Sequence, residues 1–507
     1  NPSADFQVIL PSLYVQHDYK FNVRLRFSYG LRLEGNLFPV KPNLLNDFQT
    51  TPQFSDVQSG VQNQLIVSPR FGFNYDLTGK DKIKLRGGSG IFLGRMPFAW
   101  MAYAYIYNGN QFGNIDYKPT GNVNLITSDF SQFASIQPGL KEINIVDANF
   151  KLPRVWRSNL AFDFKLPKDF ILTVEGLYSK TIYDVLFQTI NLKDSTVALQ
   201  GADDRPVFAG SGSSGKYNSD YTNVFMLTNT NKGNRYNISV SISKEFKFGL
   251  NIFTAYTYGV SKDVMNGVRV SPQANWEWNQ TLHPNDPQLS FSNFDVRHRS
   301  ITNISYSKKW NKVVEKSIIS LVFNAQSGSP FTYIYSGDLN RDGSPNNDLI
   351  FVPKDKTEIA LVDITDAGGN VLVSANEQWN QLETYINSDN YLSSRKGDYV
   401  ERNGARTPWN NQLDLRISNE FKLSKTKKQT LQVLVDIINF TNMINRNWGH
   451  QYFVPNTTNA GYSLITVKSI NSSGAATYQF NNPTSTPWQV DPIASRWQMQ
   501  LGVRLNF

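Results

Sequence analysis

The sequence predicts an all-β fold, a transmembrane antiparallel β-barrel, on three observations. Strands alternate strictly between apolar and polar residues, connections alternate between short and long, and the chain is rich in aromatic residues without an apolar run long enough for a membrane helix. The alternation is plainest in residues 496–507. There Trp497, Met499, Leu501, Val503, Leu505 and Phe507 fall on one side, and Arg496, Gln498, Gln500, Gly502, Arg504 and Asn506 on the other. That is the period of a strand with two different surroundings.

The chain has 507 residues, 40% hydrophobic and 13% aromatic, with 24 Tyr and 33 Phe, and a mean hydropathy of -0.39. No segment approaches the roughly 18 consecutive apolar residues of a membrane helix. A barrel strand needs an apolar residue only at every second position, so its hydropathy averages out. Tyr, Phe and Trp suit the girdles at the two lipid interfaces of such a barrel. No shift in composition divides the chain, and residues 1–507 read as one barrel domain. The absence of cysteine excludes disulfides, thiolate nucleophiles and Cys zinc sites. The net charge of +9 is scattered over strands and turns with no basic helix or aromatic RNA-binding signature, so nucleic acid is not expected. Outer-membrane lipid with anionic lipopolysaccharide, or a charged lumen, accounts for it better. The opening NPSADFQVIL has neither a basic n-region nor a long apolar h-region, so it is not a signal peptide.

In chain order, residues 21–34 place Phe21, Val23, Leu25, Phe27, Tyr29, Leu31 and Leu33 against Asn22, Arg24, Arg26, Ser28, Gly30, Arg32 and Glu34, which predicts one strand. Residues 65–77 follow with Leu65, Val67, Phe71, Phe73, Tyr75 and Leu77 on one face. Thr78-Gly79-Lys80-Asp81 makes a tight turn, and Ile83, Leu85 and Ile91 complete a hairpin. The same unit recurs at 155–166 with 170–181, 235–246 with 250–260, 295–307 with 317–327, and 412–422 with 429–440, each pair joined by a short polar turn such as Ser424-Lys425-Thr426-Lys427-Lys428. Between hairpins lie long segments expected to be irregular: 94–154, 182–234, 261–294, 328–411 and 441–495. Short turns at one end and long loops at the other are what outer-membrane barrels have at their periplasmic and extracellular sides. Loops this long are unusual in compact soluble domains.

Counting a strand before Phe21, the pattern gives about 13 to 14 strands, the last running towards the short-turn side. Single-chain bacterial barrels have even strand numbers with both ends periplasmic, so the sequence is expected to be the C-terminal part of a larger barrel.

Five stretches carry a family resemblance: LYVQHDYKFNVRLRFSYGLRLE (13–34), SPRFGFNYDLTGKDKIKLRGGSGIFLGRMP (68–97), FDVRHRS (294–300), GSPFTYIYSGDLNRDGSPNNDLIFVP (328–353) and LGVRLNF (501–507). Together they resemble the C-terminal barrel portion of Oar-like TonB-dependent outer-membrane transporters, whose N-terminal domain is carboxypeptidase-regulatory-like. The resemblance implies a 22-stranded barrel with a plugged lumen, of which about nine strands would lie upstream. It implies a place in the bacterial outer membrane, uptake of a large ligand such as a peptide or glycan, and TonB as a partner through a plug domain that has no counterpart in these residues. It also implies that Leu501, Val503, Leu505 and Phe507 form the signal read by the barrel-assembly machinery.

The strongest local motif is Asp338, Asn340, Asp342, Gly343, Ser344, Asn346 and Asp348. Oxygen-bearing side chains at alternate positions with Gly at the sixth are what a Ca²⁺ loop needs. The twelfth position is Leu349 instead of a bidentate Glu, and Asp348 comes one place early; the competing reading is a turn at Asp342-Gly343. Calcium at Asp338, Asn340, Asp342 and Asp348 is the one cofactor the sequence suggests. Gly210 to Lys216 imitates a P-loop but has Tyr217 where Ser or Thr is needed. Gly87, Gly88 and Gly90 fall inside a strand, where glycine marks a kink or a close backbone approach, such as a packed plug. His17, His283, His298 and His450 show no metal-ligand spacing; His298 is expected at a lumen or rim position. No hydrolase or zinc-protease motif is present, so an enzyme is not expected. The aromatic segment 98–107, with Trp276 and Trp278, would either contact ligand at the extracellular surface, pack within the loops or enter the outer lipid interface.

Three functions from different classes remain. One is a TonB-dependent transporter barrel, one a transporter-like barrel serving as a structural or assembly subunit beside other outer-membrane proteins or lipoproteins, and one a complete standalone barrel.

Overall fold

The structure is a computed structural model that describes residues 6–507 apart from 46, 110–140, 196, 211, 266, 311–312, 424–428 and 457–458. The expected turn at 424–428 therefore lies outside the described residues. Strand takes up 49% and helix 11%, so the fold is all-β and the helices are confined to connections. Thirteen strands form one antiparallel path: β1 Ser12–Lys20, β2 Leu25–Asn36, β3 Gln64–Asp76, β4 Ile83–Leu93, β5 Arg154–Lys165, β6 Ile171–Thr189, β7 Asn234–Glu245, β8 Leu250–Asp263, β9 His298–Lys309, β10 Val314–Gln326, β11 Asn410–Lys422, β12 Thr430–Ile438 and β13 Gln498–Asn506. Neighbours in the path are consecutive in number throughout. Strands Lys141–Val146, Tyr221–Thr230 and Ser290–Phe291 join the sheet off that path.

Register puts the two chemistries on separate faces. Ile304, Leu321, Leu415, Ile437 and Met499 stand side by side across five strands, and the adjacent row is Ser305, Ser320, Arg416, Asp436 and Gln500. A slip of one residue would exchange the faces, so the alternation fixes the register.

The short connections are built by specific local chemistry. Between β3 and β4, Asp76 accepts from the backbone N–H groups of Thr78 (3.1 Å), Gly79 (2.9 Å) and Asp81 (2.9 Å), and Gly79 takes φ +68°. Gly249 turns β7 into β8 at φ +99°, and a Cβ there would meet the Ser307 carbonyl at 2.1 Å. Only glycine meets both conditions.

One expected strand is divided. Residues 21–24 form the turn between β1 and β2, with Asn22 Oδ1 accepting from Arg24 N (2.8 Å) and Leu25 N (2.9 Å). Phe21 and Val23 continued the apolar rhythm into a bend, where Val23 is 84% exposed. A second difference is larger. The long connections are ordered, carrying their own β-pairs and helices, including Ala99–Ile106, Pro272–Glu277 and Ala375–Ser388. They also hold most of the buried side chains of the described residues.

Both outer strands of the sheet are exposed. Every residue of β1 is exposed, as is every residue of β13 except Gly502. β1 is hydrogen-bonded to β2 and β13 to β12, and among the described residues their other edges have no strand partner.

Candidate functional site

The polar face of the sheet carries a connected charge network. Arg86 on β4 reaches Asp163 on β5 (3.1 Å) and Glu175 on β6 (3.4 Å). Asn159 Nδ2 donates to Glu175 (3.1 Å) and the Thr173 hydroxyl to Asp163 (2.7 Å). On the far side of the sheet Arg416 binds Asp436 through two contacts, 2.5 and 2.8 Å. Phe92 lies between the guanidinium groups of Arg70 (4.8 Å) and Arg157 (5.8 Å). This face can hold water and polar solutes.

The loops fold over the polar face at the long-loop end. Leu65 and Ile66 are neighbours at the start of β3 and point to opposite faces. Leu65, on the apolar row, is 72% exposed, whereas Ile66, on the polar row, is fully buried. The apolar cluster that covers Ile66 draws Phe38, Trp100, Phe150, Phe187, Phe208, Phe225 and Trp276 from four long connections and the end of β6. A second cluster joins Val207, Tyr333, Leu382, Val400, Ile465 and Phe480 from three connections.

Of the aromatic residues that were candidates for ligand contact, Trp100 and Trp276 belong to the first cluster and Phe98 packs against it. Trp100 is buried and its indole N–H donates to the Arg269 carbonyl (2.6 Å); Trp276 is buried, donates to Asn285 Oδ1 (3.0 Å) and lies 5.9 Å from the Phe225 ring. Self-packing of the loops is what the structure displays for Trp100 and Trp276. His298 sits at the rim on the apolar side, with its Nδ1 2.6 Å from the Tyr256 hydroxyl and its ring 5.8 Å from Trp409, a girdle position. The P-loop-like stretch folds into a 3-10 turn at Ser213–Gly215 with no strand–loop–helix setting. Gly87 makes room for Phe73: a Cβ would lie 2.9 Å from its ring.

The calcium candidates lie at the junction of the loops. Four of their partners come from other connections. Phe208 N donates to Asn340 O (2.7 Å), Thr281 N to Asn347 O (3.0 Å), the Asn459 amide to Asn346 O (2.9 Å), and the Ser344 hydroxyl to Glu277 O. Within the loop Gly343 N donates to Asp338 Oδ2 (2.9 Å), Ser344 N to Asp342 Oδ1 (2.7 Å), and the amides of Asn340 (3.0 Å) and Asn347 (2.8 Å) to Asp342 Oδ2.

Asp348 is oriented differently from the other candidates. Its Oδ1 takes Nη1 of the fully buried Arg205 at 3.0 Å, and its Oδ2 takes the N–H groups of Leu339 (2.7 Å) and Asn340 (3.3 Å). Arg205 also binds Asp203 through Nε (2.9 Å) and Nη2 (2.8 Å), and lies over the rings of Tyr335 (5.1 Å) and Tyr399 (5.5 Å). Burial by itself would lower the Arg205 pKa, and the carboxylates of Asp203 and Asp348 overcome it and hold the guanidinium firmly charged. Burial pushes the Asp338 carboxyl up to about 7, with the Asp348 charge adding to it. Burial also raises Asp342 well above the carboxylate range, helped by Asp348 and then Asp338. Arg205 and Asp203 were invisible to sequence reasoning: Arg205 and Asp348 are 143 positions apart, and no periodic signal links residues at that separation. Among the described residues no three His, Cys, Asp or Glu side chains are grouped as metal ligands.

The proposed assembly signal is on one row. Leu501, Val503 and Leu505 pair with Val435, Val433 and Leu431 on the apolar face, and Phe507 follows β13 with 97% of its surface exposed.

The chain matches the family model described as outer membrane beta barrel domain over residues 1–480. No curated protein matches it. Solved structures similar to it include the outer membrane transporter YddB from Escherichia coli, at 11% identity and a TM-score of 0.47, covering 98% of this chain and 45% of that one. Others are the ferric enterobactin receptor PfeA from Pseudomonas aeruginosa (9%, 0.39, covering 86% and 40%) and the FrpB iron transporter from Neisseria meningitidis (10%, 0.37, covering 87% and 42%). The chain thus spans less than half the length of these neighbours. With its antiparallel path of strands and its segregated faces, the chain belongs to the outer membrane β-barrel domain family and lies in the bacterial outer membrane.

Proposed function

We propose that this chain forms the wall and loop cap of an Oar-like TonB-dependent transporter that admits a large polar ligand, such as a peptide or glycan, without a covalent step. The observation that supports this is the combination of a charged, hydrogen-bonded polar face with a packed loop assembly folded over its outer end. A polar wall lets a hydrated solute pass, and an ordered cap offers it a shaped entrance. In this reading the free edges of β1 and β13 are joined by further strands of the same protein into a barrel of about 22 strands, and a plug that contacts TonB gates the lumen.

The bracing of several loops by shared cores favours a second reading, a structural or assembly subunit of a multi-protein outer-membrane complex, since a fixed cap suits a docking platform. One experiment separates the two. Uptake of fluorescent peptide and glycan probes is followed in cells carrying the full-length protein, with and without TonB. Uptake lost without TonB supports the transporter; uptake absent in both, with stable partners co-purifying from the membrane, supports the platform.

A further inference from the structure

The 338–348 loop combines a tight backbone, unpartnered oxygens and an excess of carboxylates. Its backbone enters the left-handed region twice, at Arg341 (φ +59°) and Gly343 (φ +103°), and the Asn340 and Asn347 amides both reach Asp342 Oδ2. Two oxygens there, Asp338 Oδ1 and Asn347 Oδ1, are buried and accept no hydrogen bond, and Asn347 itself is fully buried. An oxygen acceptor without a donor is costly in the interior and is satisfied by water or a cation. Finally, carboxylates outnumber guanidinium groups: Asp203 and Asp348 share Arg205, which leaves Asp338 and Asp342 without a basic partner in the contacts described above. A carboxylate held away from water without a basic partner is disfavoured in its charged form unless a cation is bound beside it.

We propose that this loop binds one divalent cation of the calcium class through Asp338, Asn340, Asp342 and Asn347, with Asp348 withheld from the ligand set by its pairing with Arg205. Calcium takes six to eight oxygens from mixed carboxylate, amide and carbonyl sources, so a site with two carboxylates is sufficient. Asn347 holds Asp342 Oδ2 through its NH₂ group and leaves Oδ1 for the ion; Asn340 Oδ1 accepts from Asp342 N (2.9 Å) and has a second lone pair. Asp338 keeps Oδ2 on the Gly343 N–H and leaves Oδ1 for the ion. The bound ion would fix the loop to which three other connections are hydrogen-bonded. The inference does not depend on whether the barrel transports.

The test uses the full-length protein in detergent micelles, stripped with a chelator and titrated calorimetrically with calcium chloride, with magnesium chloride as a comparison. One saturable calcium site is expected, with a dissociation constant of about 10⁻⁴ to 10⁻³ M, the range of extracellular modules. Hydrogen exchange of the 338–348 amides should slow about tenfold at calcium ten times that constant, with the β12 and β13 amides unchanged. Asp342→Asn should abolish the site, and Asp169→Asn, in the short turn between β5 and β6, should keep it. The exchange measurement needs no variant, so misfolding of Asp342→Asn would not remove the test. The proposal is overturned by absence of saturable calcium binding in the wild-type protein, by protection that appears only outside the loop, or by unchanged binding in a folded Asp342→Asn protein.

Discussion

Val207 and Phe208 are adjacent in the chain and buried in different cores, Val207 in the cluster that holds Tyr333 and Phe480 and Phe208 in the one that holds Trp276 and Phe225. Opposed side chains on a short extended segment join two apolar clusters into one assembly. Phe208→Ala should destabilise that assembly by about 3–5 kcal/mol, the range for a buried phenylalanine. Faster proteolysis within residues 264–297 would be the readout, with the strand ladder intact by circular dichroism.

Arg205 predicts a cycle. Arg205→Leu leaves Asp203 and Asp348 buried without their cation and should cost about 3–5 kcal/mol. Adding Asp348→Asn removes one of the stranded charges and should recover part of that loss. A melting series on the two single variants and the double checks this, since residues in contact are expected to be non-additive. Additive losses would mean that the pair does not act as a unit.

The two faces of β10 respond oppositely to charge. Leu321 stands between Ile304 and Leu415 on the apolar row, and Val322 between Asn303 and Asp414 on the polar row. Leu321→Arg should lower assembly by about 2–4 kcal/mol, the cost of arginine on a lipid face near mid-membrane, whereas Val322→Arg should be tolerated beside Asp414. Heat-modifiable migration of the folded barrel on gels reports both.

Phe507 separates assembly from stability. With 97% of its surface exposed, Phe507→Ala should change the melting of the folded protein by less than about 0.5 kcal/mol. If the terminal row is the assembly signal, surface levels of the variant fall while synthesis is unchanged; wild-type surface levels would remove that role.

The strand path was legible because period-two alternation reports two solvents, and it held from Leu65 to Phe507. It misled at Val23, since an apolar residue in a two-sided turn keeps the rhythm without belonging to a strand. The cap was not legible. Trp100, Trp276 and Phe208 belong to no periodic element, and their cluster is assembled from distant connections. The acidic loop was visible as a motif, but the pairing that diverts Asp348 depends on Arg205, and only the folded chain brings the two together.

The placement of most buried apolar side chains in the connections divides the thermodynamics of the molecule. In lipid the strand ladder is held by backbone hydrogen bonds with little water to release. The cap buries its apolar surface in water, so the heat-capacity change of unfolding belongs mainly to it. A scanning calorimeter should therefore see the cap melt with the curved temperature dependence of a soluble domain, weakening on cooling as well as on heating, while the wall beneath it remains folded.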